Sequence, residues 1–249
     1  MRNPRVAEIL SVLAHGGEQR TLPDRLCAAC LSALPVSGVG VALMTVDGPS
    51  GVVLAVTDER ARQLEELQFA LGEGPCVEAS GGGRPVLEPD LVATGTPRWP
   101  RFGAAVLDAG VHAVFAFPMR VGAIRVGVLD LYRDTPGQLS PPDLAEALAF
   151  ADAATVVVLN LQDHAAEDGA RSALMGPIDN RAEVHQATGM ISIQLGISLA
   201  DALLRLRAYA YAMEQTVSSI AADVVSRRMH FVGSESGATT QQDRRDPRE

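Results

Sequence analysis

Two periodicities interleave along the first 165 residues. Apolar residues recurring at spacings of three and four predict helices over roughly 4–15, 23–34, 58–70, 98–109 and 141–165. Shorter apolar or alternating runs predict strands at 38–46, 52–57, 84–88, 111–120 and 122–132. The first two strands flank DGPSG, and the last two flank the tight Val121–Gly122 step, so each pair reads as a hairpin. In the final strand Ile124, Val126, Val128, Leu129 and Leu131 read as buried, with Arg125 and Asp130 pointing out. The long helix opens after Ser140, a good N-cap, with Pro141 at its first position. Its seam of Leu144, Leu148, Ala151, Thr155, Val158 and Leu161 or Gln162 can pack on the sheet or on a second copy of the chain. Antiparallel hairpins with helices before, between and after predict an α+β, sensor-like domain over residues 1–165.

The pattern then changes. Residues 163–178 are polar and carry two glycines and a proline, which places a linker at 166–178. From 179 to 231 only the helical period remains. One helix spans about 180–195, with Val184, Ala187, Ile191 and Leu195 on one face. A second spans 199–213, with Leu199, Leu203, Leu206, Ala210 and Met213 forming a seam, and Ser198 with Asp201 forming a capping pair. A third spans 217–229, with Val217, Ile220, Ala221, Val224 and Val225 inward. The tail, 232–249, is polar and charged and reads as disordered. One position jars. Gly189 lies inside the first of these helices, where glycine costs about 1 kcal/mol relative to alanine. It reads either as a close helix crossing or as an opening for something to approach the backbone.

Composition narrows the function classes. Hydrophobic residues make up 47% of the chain and aromatics only 4%, which fits an aliphatic core. No apolar run reaches the roughly 18–20 residues that span a bilayer, the best being AATVVVLNL at 153–161. The N-terminus lacks a signal-peptide pattern, so a cytoplasmic protein without a membrane partner is expected. Three cysteines are too few for a disulfide scaffold. Cys27 and Cys30 form CAAC within a helical run and read as small buried residues. No second Cys or His pair stands at zinc spacing, so no metal site and no cofactor is assigned. The net charge is −9. Residues 1–178 hold −8 of it, the helical segment 179–231 is balanced, and the tail carries −1. The acidic first segment should avoid nucleic acid; the neutral helical segment gives no purely electrostatic reason to bind it.

Particular residues carry a family likeness. HQATGMISIQLGIS in the first C-terminal helix, ADALLRLRAYA in the second and IAADVVSRR in the third resemble the ANTAR domain, a three-helix RNA-binding module of bacterial antiterminators. The resemblance covers residues 178–231 in three ordered stretches. LGEGPCVEA (71–79), the RWPRF run (98–102) and FAFPMRVGAIRVGVLDLY (115–132) resemble a GAF domain of the kind attached to such modules. The combination resembles a GAF-ANTAR regulator. It implies a GAF-like antiparallel sheet flanked by helices, followed by an ANTAR module, in a non-enzymatic regulator; the apolar stripes on the 141–165 helix and on the second C-terminal helix point to a homodimer. The resemblance also implies binding to tandem stem-loops in nascent RNA at the expense of a terminator, under control of an unknown small-molecule or other signal at the GAF domain.

A module that reads RNA loops needs open backbone, polar groups for base edges, stacking rings and some cations for phosphate. Gln186, Thr188 and Gly189 read as lying off the packed face of the first helix; Arg205 and Tyr209 share a face of the second; Arg227 and Arg228 fall in the last turn of the third. Each has a plainer role: the two arginines complement a helix dipole, one of Tyr209 and Tyr211 packs, and Gly189 eases a helix crossing. The wider ANTAR pattern often has lysine where Thr188 stands. In the first domain Cys76, Trp99 and Phe102 are ligand-pocket candidates, with Trp99 and Phe102 equally readable as core. Two other functions compete: a DNA-binding helix-turn-helix, disfavoured by the apolar TVSSIAADVV start of the third helix, and a sulfoxide-reducing GAF enzyme, disfavoured because Cys76 has no neighbouring cysteine partner.

Overall fold

The computed structural model describes residues 3–15, 20–45, 48–167, 182–213 and 215–232. Asp47 of the first hairpin, the linker from 168 onward and the tail from 233 lie outside the described residues. The chain divides into two compact units, 1–178 and 179–249. Each is described by itself.

The first unit runs α1 (Pro4–Ala14), α2 (Leu22–Ala33), β1 (Gly38–Thr45), β2 (Gly48–Val56), α3 (Glu59–Leu71), α4 (Pro75–Gly82) and β3 (Val86–Glu88). A π-helical turn at Leu91–Gly95 leads into α5 (Thr96–Arg98), α6 (Pro100–Asp108), β4 (Ala113–Val121), β5 (Ile124–Arg133) and α7 (Pro141–Glu167). The boundaries are written locally. Asn3 caps α1, a reciprocal Thr21–Asp24 capping box opens α2, Asp58 caps α3, and the backbone N–H of Asp143 donates to Ser140 Oγ at the start of α7. Gly72, at φ 61°, lets α3 end in a left-handed turn.

The strands form one antiparallel sheet in the order β2-β1-β5-β4-β3. Both expected hairpins form; β2 starts earlier than the pattern predicted. One sheet face carries Val39, Val41, Phe115, Phe117, Leu129 and Leu131, packed beneath α1, α2 and α7. The opposite face carries Val114, Ala116, Val128 and Tyr132 and is covered by α3, α4 and α6. The middle strands are therefore buried on both sides. This corrects the expectation for Asp130: it does not point to water but is 0% exposed, on the same face as Val128 and Tyr132.

Helix α4 departs from the pattern, which predicts no element between the helix at 58–70 and the strand at 84–88. Pro75 stands in its first turn, and Cys76 and Ala79 are buried beneath the sheet, so tertiary burial overrides the weak helix preference of Gly81 and Gly82. The seam expected on α7 is only partly used. Ala151, Thr155 and Val158 are buried, whereas Leu148 is exposed and the packed face turns instead through Ala147, Phe150, Ala154 and Val157. As a helix, Pro141–Asp163 is long and apolar enough to cross a membrane, longer than the apolar run read from sequence; half of that stretch is buried against its own domain.

The second unit packs α8 (Ala182–Leu195), α9 (Leu199–Ala212) and α10 (Val217–Val225) against one another. Its interior is Val184, Ala187, Ile191, Ala202, Leu206, Ala210, Val217, Ile220, Ala221 and Val224. The Ser198 cap forms as expected, its Oγ accepting from the Asp201 backbone N–H. Two ends of the predicted α9 seam do not hold: Leu199 and Met213 are exposed, and Ala202 takes the place of Leu199 in the core. The third helix stops at Val225, four residues before its predicted end.

Candidate functional site

The sheet face beneath α3 and α4 contains a group of polar side chains in an otherwise apolar interior. The register places Asp130 of β5 between Gly40 of β1 and Ala116 of β4. Both neighbours are too small to fill the layer above the strand, which leaves space over Asp130. Glu65 of α3 extends into it, lying across the backbone so closely that a side chain at Gly40 would collide with its carboxylate. Glu65 is 2% exposed. Cys76, in the first turn of α4, closes the group. One donor atom from each of Glu65, Cys76 and Asp130 lies within 4.8 Å of the others.

A hydrogen-bonded chain holds one side of this group. The Cys76 backbone N–H donates to Gln68 Oε1 at 2.7 Å, Gln68 Nε2 donates to the Tyr132 hydroxyl at 3.3 Å, and that hydroxyl donates to Glu65 Oε1 at 2.9 Å. Gly74, at φ 129°, supports it, since a side chain there would press on Gln68. Asp130 lies against this chain without joining it: neither carboxylate oxygen has a partner at full hydrogen-bond geometry among the described residues. Complete burial, then the Glu65 charge, push the Asp130 carboxyl well above the usual carboxylate range, although Cys76 and Gln68 stand near enough to favour its charged form. Burial and the same carboxylates push the Tyr132 phenol up. Two carboxyls and a thiol converging in a dry interior can accept charge from a cation or a protonated donor.

Of the pocket residues expected from sequence, the structure brings Cys76 into this group and packs Trp99 and Phe102 into the same apolar cluster, edge to face with ring centres 6.3 Å apart. Both aromatics are buried. Within the GEGPC run, Glu73 accepts from the backbone N–H groups of Arg101 and Phe102 and so caps α6 from a distance. Cys27 and Cys30 are buried in α2, and burial pushes both thiols up. Glu65, Gln68, Asp130 and Tyr132 escaped the sequence reading. The signal was present: Ala61, Leu64, Glu65, Gln68 and Phe69 share the three-and-four spacing of a buried face, with two polar residues on it.

In the helical unit the candidates separate. Gln186 is exposed, and Gly189, one turn on, has no neighbouring heavy atom within 4 Å of where a Cβ would stand. Close helix packing therefore does not account for this glycine. Ile193 continues the same face at 86% exposed. Thr188 lies on the other side; it is buried and its hydroxyl donates to the Val184 carbonyl at 2.7 Å, which corrects its placement off the packed face. Arg205 is exposed. Tyr209 packs edge to face on Phe231, with ring centres 5.4 Å apart, while Tyr211 is exposed.

Arg227 and Arg228 do not lie in a helical turn but just beyond one. The Arg227 N–H donates to the Val224 carbonyl and the Arg228 N–H to the Asp223 carbonyl, a Schellman closure of α10. Arg227 holds the left-handed position of that closure at φ 61°, the one non-glycine residue with positive φ among the described residues. Arg228 pairs with Asp223 at 2.6 Å.

A family model described as GAF domain matches residues 19–158. No curated protein matches the chain. Among solved structures, the GAF domain from Acinetobacter phosphoenolpyruvate-protein phosphotransferase is similar at 14% identity and TM-score 0.49, over 68% of this chain and 99% of that one. Free methionine-R-sulfoxide reductase from Neisseria meningitidis, in complex with its substrate, is similar at 15% identity and TM-score 0.45, over 66% and 95%. The cyanobacteriochrome TePixJ GAF domain is similar at 19% identity and TM-score 0.44, over 60% and 94%.

Proposed function

We propose, from the premise that this chain belongs to the GAF-domain family, that it is an RNA-binding transcription antitermination regulator. A GAF domain is a signal-sensing domain; here it is joined to a helical unit that holds a dual stem-loop in nascent RNA. The RNA reading rests on the ANTAR-like stretches, which fall one on each of α8, α9 and α10. The observation that carries it furthest is the open face of α8. Gln186 and Gly189 stand one turn apart on a face with nothing packed over the glycine, so a base edge can reach both an amide side chain and bare backbone. Arg205 supplies an exposed cation on α9 and Arg227 another after α10. Thr188 is not part of this surface.

The test is a gel-shift titration of the full chain with a tandem stem-loop RNA, the same RNA with both loops altered, and duplex DNA of matched length. Binding only to the first RNA is expected. Equal affinity for both RNAs overturns loop recognition, and preference for duplex DNA replaces this reading with a helix-turn-helix.

A further inference from the structure

We propose that Glu65, Cys76 and Asp130 form a binding site for a zinc-class divalent cation inside the sheet-bearing unit. Three separate elements, α3, α4 and β5, bring these side chains together, with one donor atom from each within 4.8 Å of the others. All three are buried, so the arrangement is not a solvated acidic surface. Asp130 supplies an independent sign. Its carboxylate is wholly buried, faces the other two donors and has no partner at full hydrogen-bond geometry among the described residues. A buried carboxyl is held neutral, paired or bound to metal, and a cation between the three groups satisfies it in its charged form.

The surroundings fit that occupant. Gly40 and Ala116, beside Asp130 in the sheet, leave room above the strand. Tyr132 holds Glu65, and Gln68 ties Tyr132 to the Cys76 backbone, the outer-shell support that fixes ligand orientation. Zn–S bonds of about 2.3 Å and Zn–O bonds of about 2.0–2.2 Å set ligand atoms roughly 3.5 Å apart. Closure on an ion thus asks for side-chain shifts on the order of an ångström. The thiolate selects zinc-class cations over magnesium and calcium. Binding releases the thiol proton, and any proton on the carboxyls, to solvent. Three protein donors leave one position open. The site stands whether or not the helical unit binds RNA.

The experiment uses the full chain, stripped with a chelator and titrated with Zn2+ against a chromophoric competitor and with Co2+ by absorption. One Zn2+ per chain is expected, with a thiolate-to-cobalt charge-transfer band in the Co2+ form. Cys76→Ser should abolish the band, while a Cys27→Ala/Cys30→Ala variant keeps it. Gln68→Ala should weaken Zn2+ binding by about 10- to 100-fold, and Asp130→Asn by more. Absence of the band in the wild-type chain overturns the proposal, as does its loss in the Cys27→Ala/Cys30→Ala variant. The chain has three cysteines, so those two results decide the matter even if Cys76→Ser does not fold.

Discussion

In the sheet-bearing unit the unusual polar groups are inside: Glu65, Gln68, Glu88 and Asp130 are buried. In the helical unit the buried residues among those described are aliphatic apart from Thr188, and Arg205, Arg227 and Arg228 stand outside. The contrast follows from size. A sheet covered on both faces has a core large enough to bury carboxyls within a hydrogen-bonded frame. A three-helix unit of about 50 residues has little core to spare, and an uncompensated buried charge costs several kcal/mol. Chemistry that needs a dry, shaped interior belongs to the first unit; chemistry that needs an open face belongs to the second.

The largest expected effect breaks the two units apart. Leu206 is completely buried in the helical core, and Leu206→Ala should cost about 2–5 kcal/mol. That is most of the stability of so small a unit, which is on the order of 5 kcal/mol. Hydrogen exchange should show the helical unit unfolded and the sheet-bearing unit protected as before; simultaneous loss in both would mean that they are not independent. Next comes Tyr132→Phe, which removes one hydrogen-bond donor from the buried Glu65 carboxyl. A loss of about 1–3 kcal/mol is expected, read as a lower denaturant midpoint for the sheet-bearing unit with RNA affinity unchanged.

Smaller effects sharpen the open-face reading. Because space beside Gly189 is empty, Gly189→Ala should raise the stability of the helical unit by about 1 kcal/mol. If affinity for tandem stem-loop RNA falls in the same protein, the bare backbone serves recognition; unchanged affinity removes Gly189 from the site. The smallest expected change is Arg227→Gly. Relief of a left-handed penalty of about 1–2 kcal/mol is offset by roughly 0.5–1 kcal/mol of glycine entropy. A slight gain in melting temperature should accompany weaker RNA binding, with the salt dependence of binding shallower by about one charge. A stability gain with an unchanged salt slope would leave Arg227 as a capping residue only.

Much of the architecture was legible in the residues, because its signals are local. Asn3, Thr21, Asp58, Ser140 and Ser198 cap the helices they precede, and the two hairpins are written in their turns. The losses have one cause. Asp130 looked solvent-facing because a strand with one wet side alternates, and only the layer of α3 and α4 shows that β5 has no wet side. Helix α4 was hidden by glycines whose weak propensity is outweighed by burial of Cys76 and Ala79. Thr188 looked available from its place in sequence, until its back-bond to Val184 showed which side of α8 it occupies.

By itself, then, the order of apolar and capping residues determined where most of the chain is helix or strand, and that it changes from a mixed pattern to a purely helical one near residue 179. The GAF-like stretches marked the sheet-bearing domain. What only the tertiary structure decided is which polar residues meet. Glu65, Cys76 and Asp130 are separated by 11 and 54 positions in the sequence, a spacing that no short motif encodes. Their meeting depends on strand register, on the small side chains of Gly40 and Ala116, and on two helices crossing the same sheet face. The openness of Gly189 is of the same kind: a missing side chain is visible in the sequence, but whether anything fills the space beside it is settled by packing.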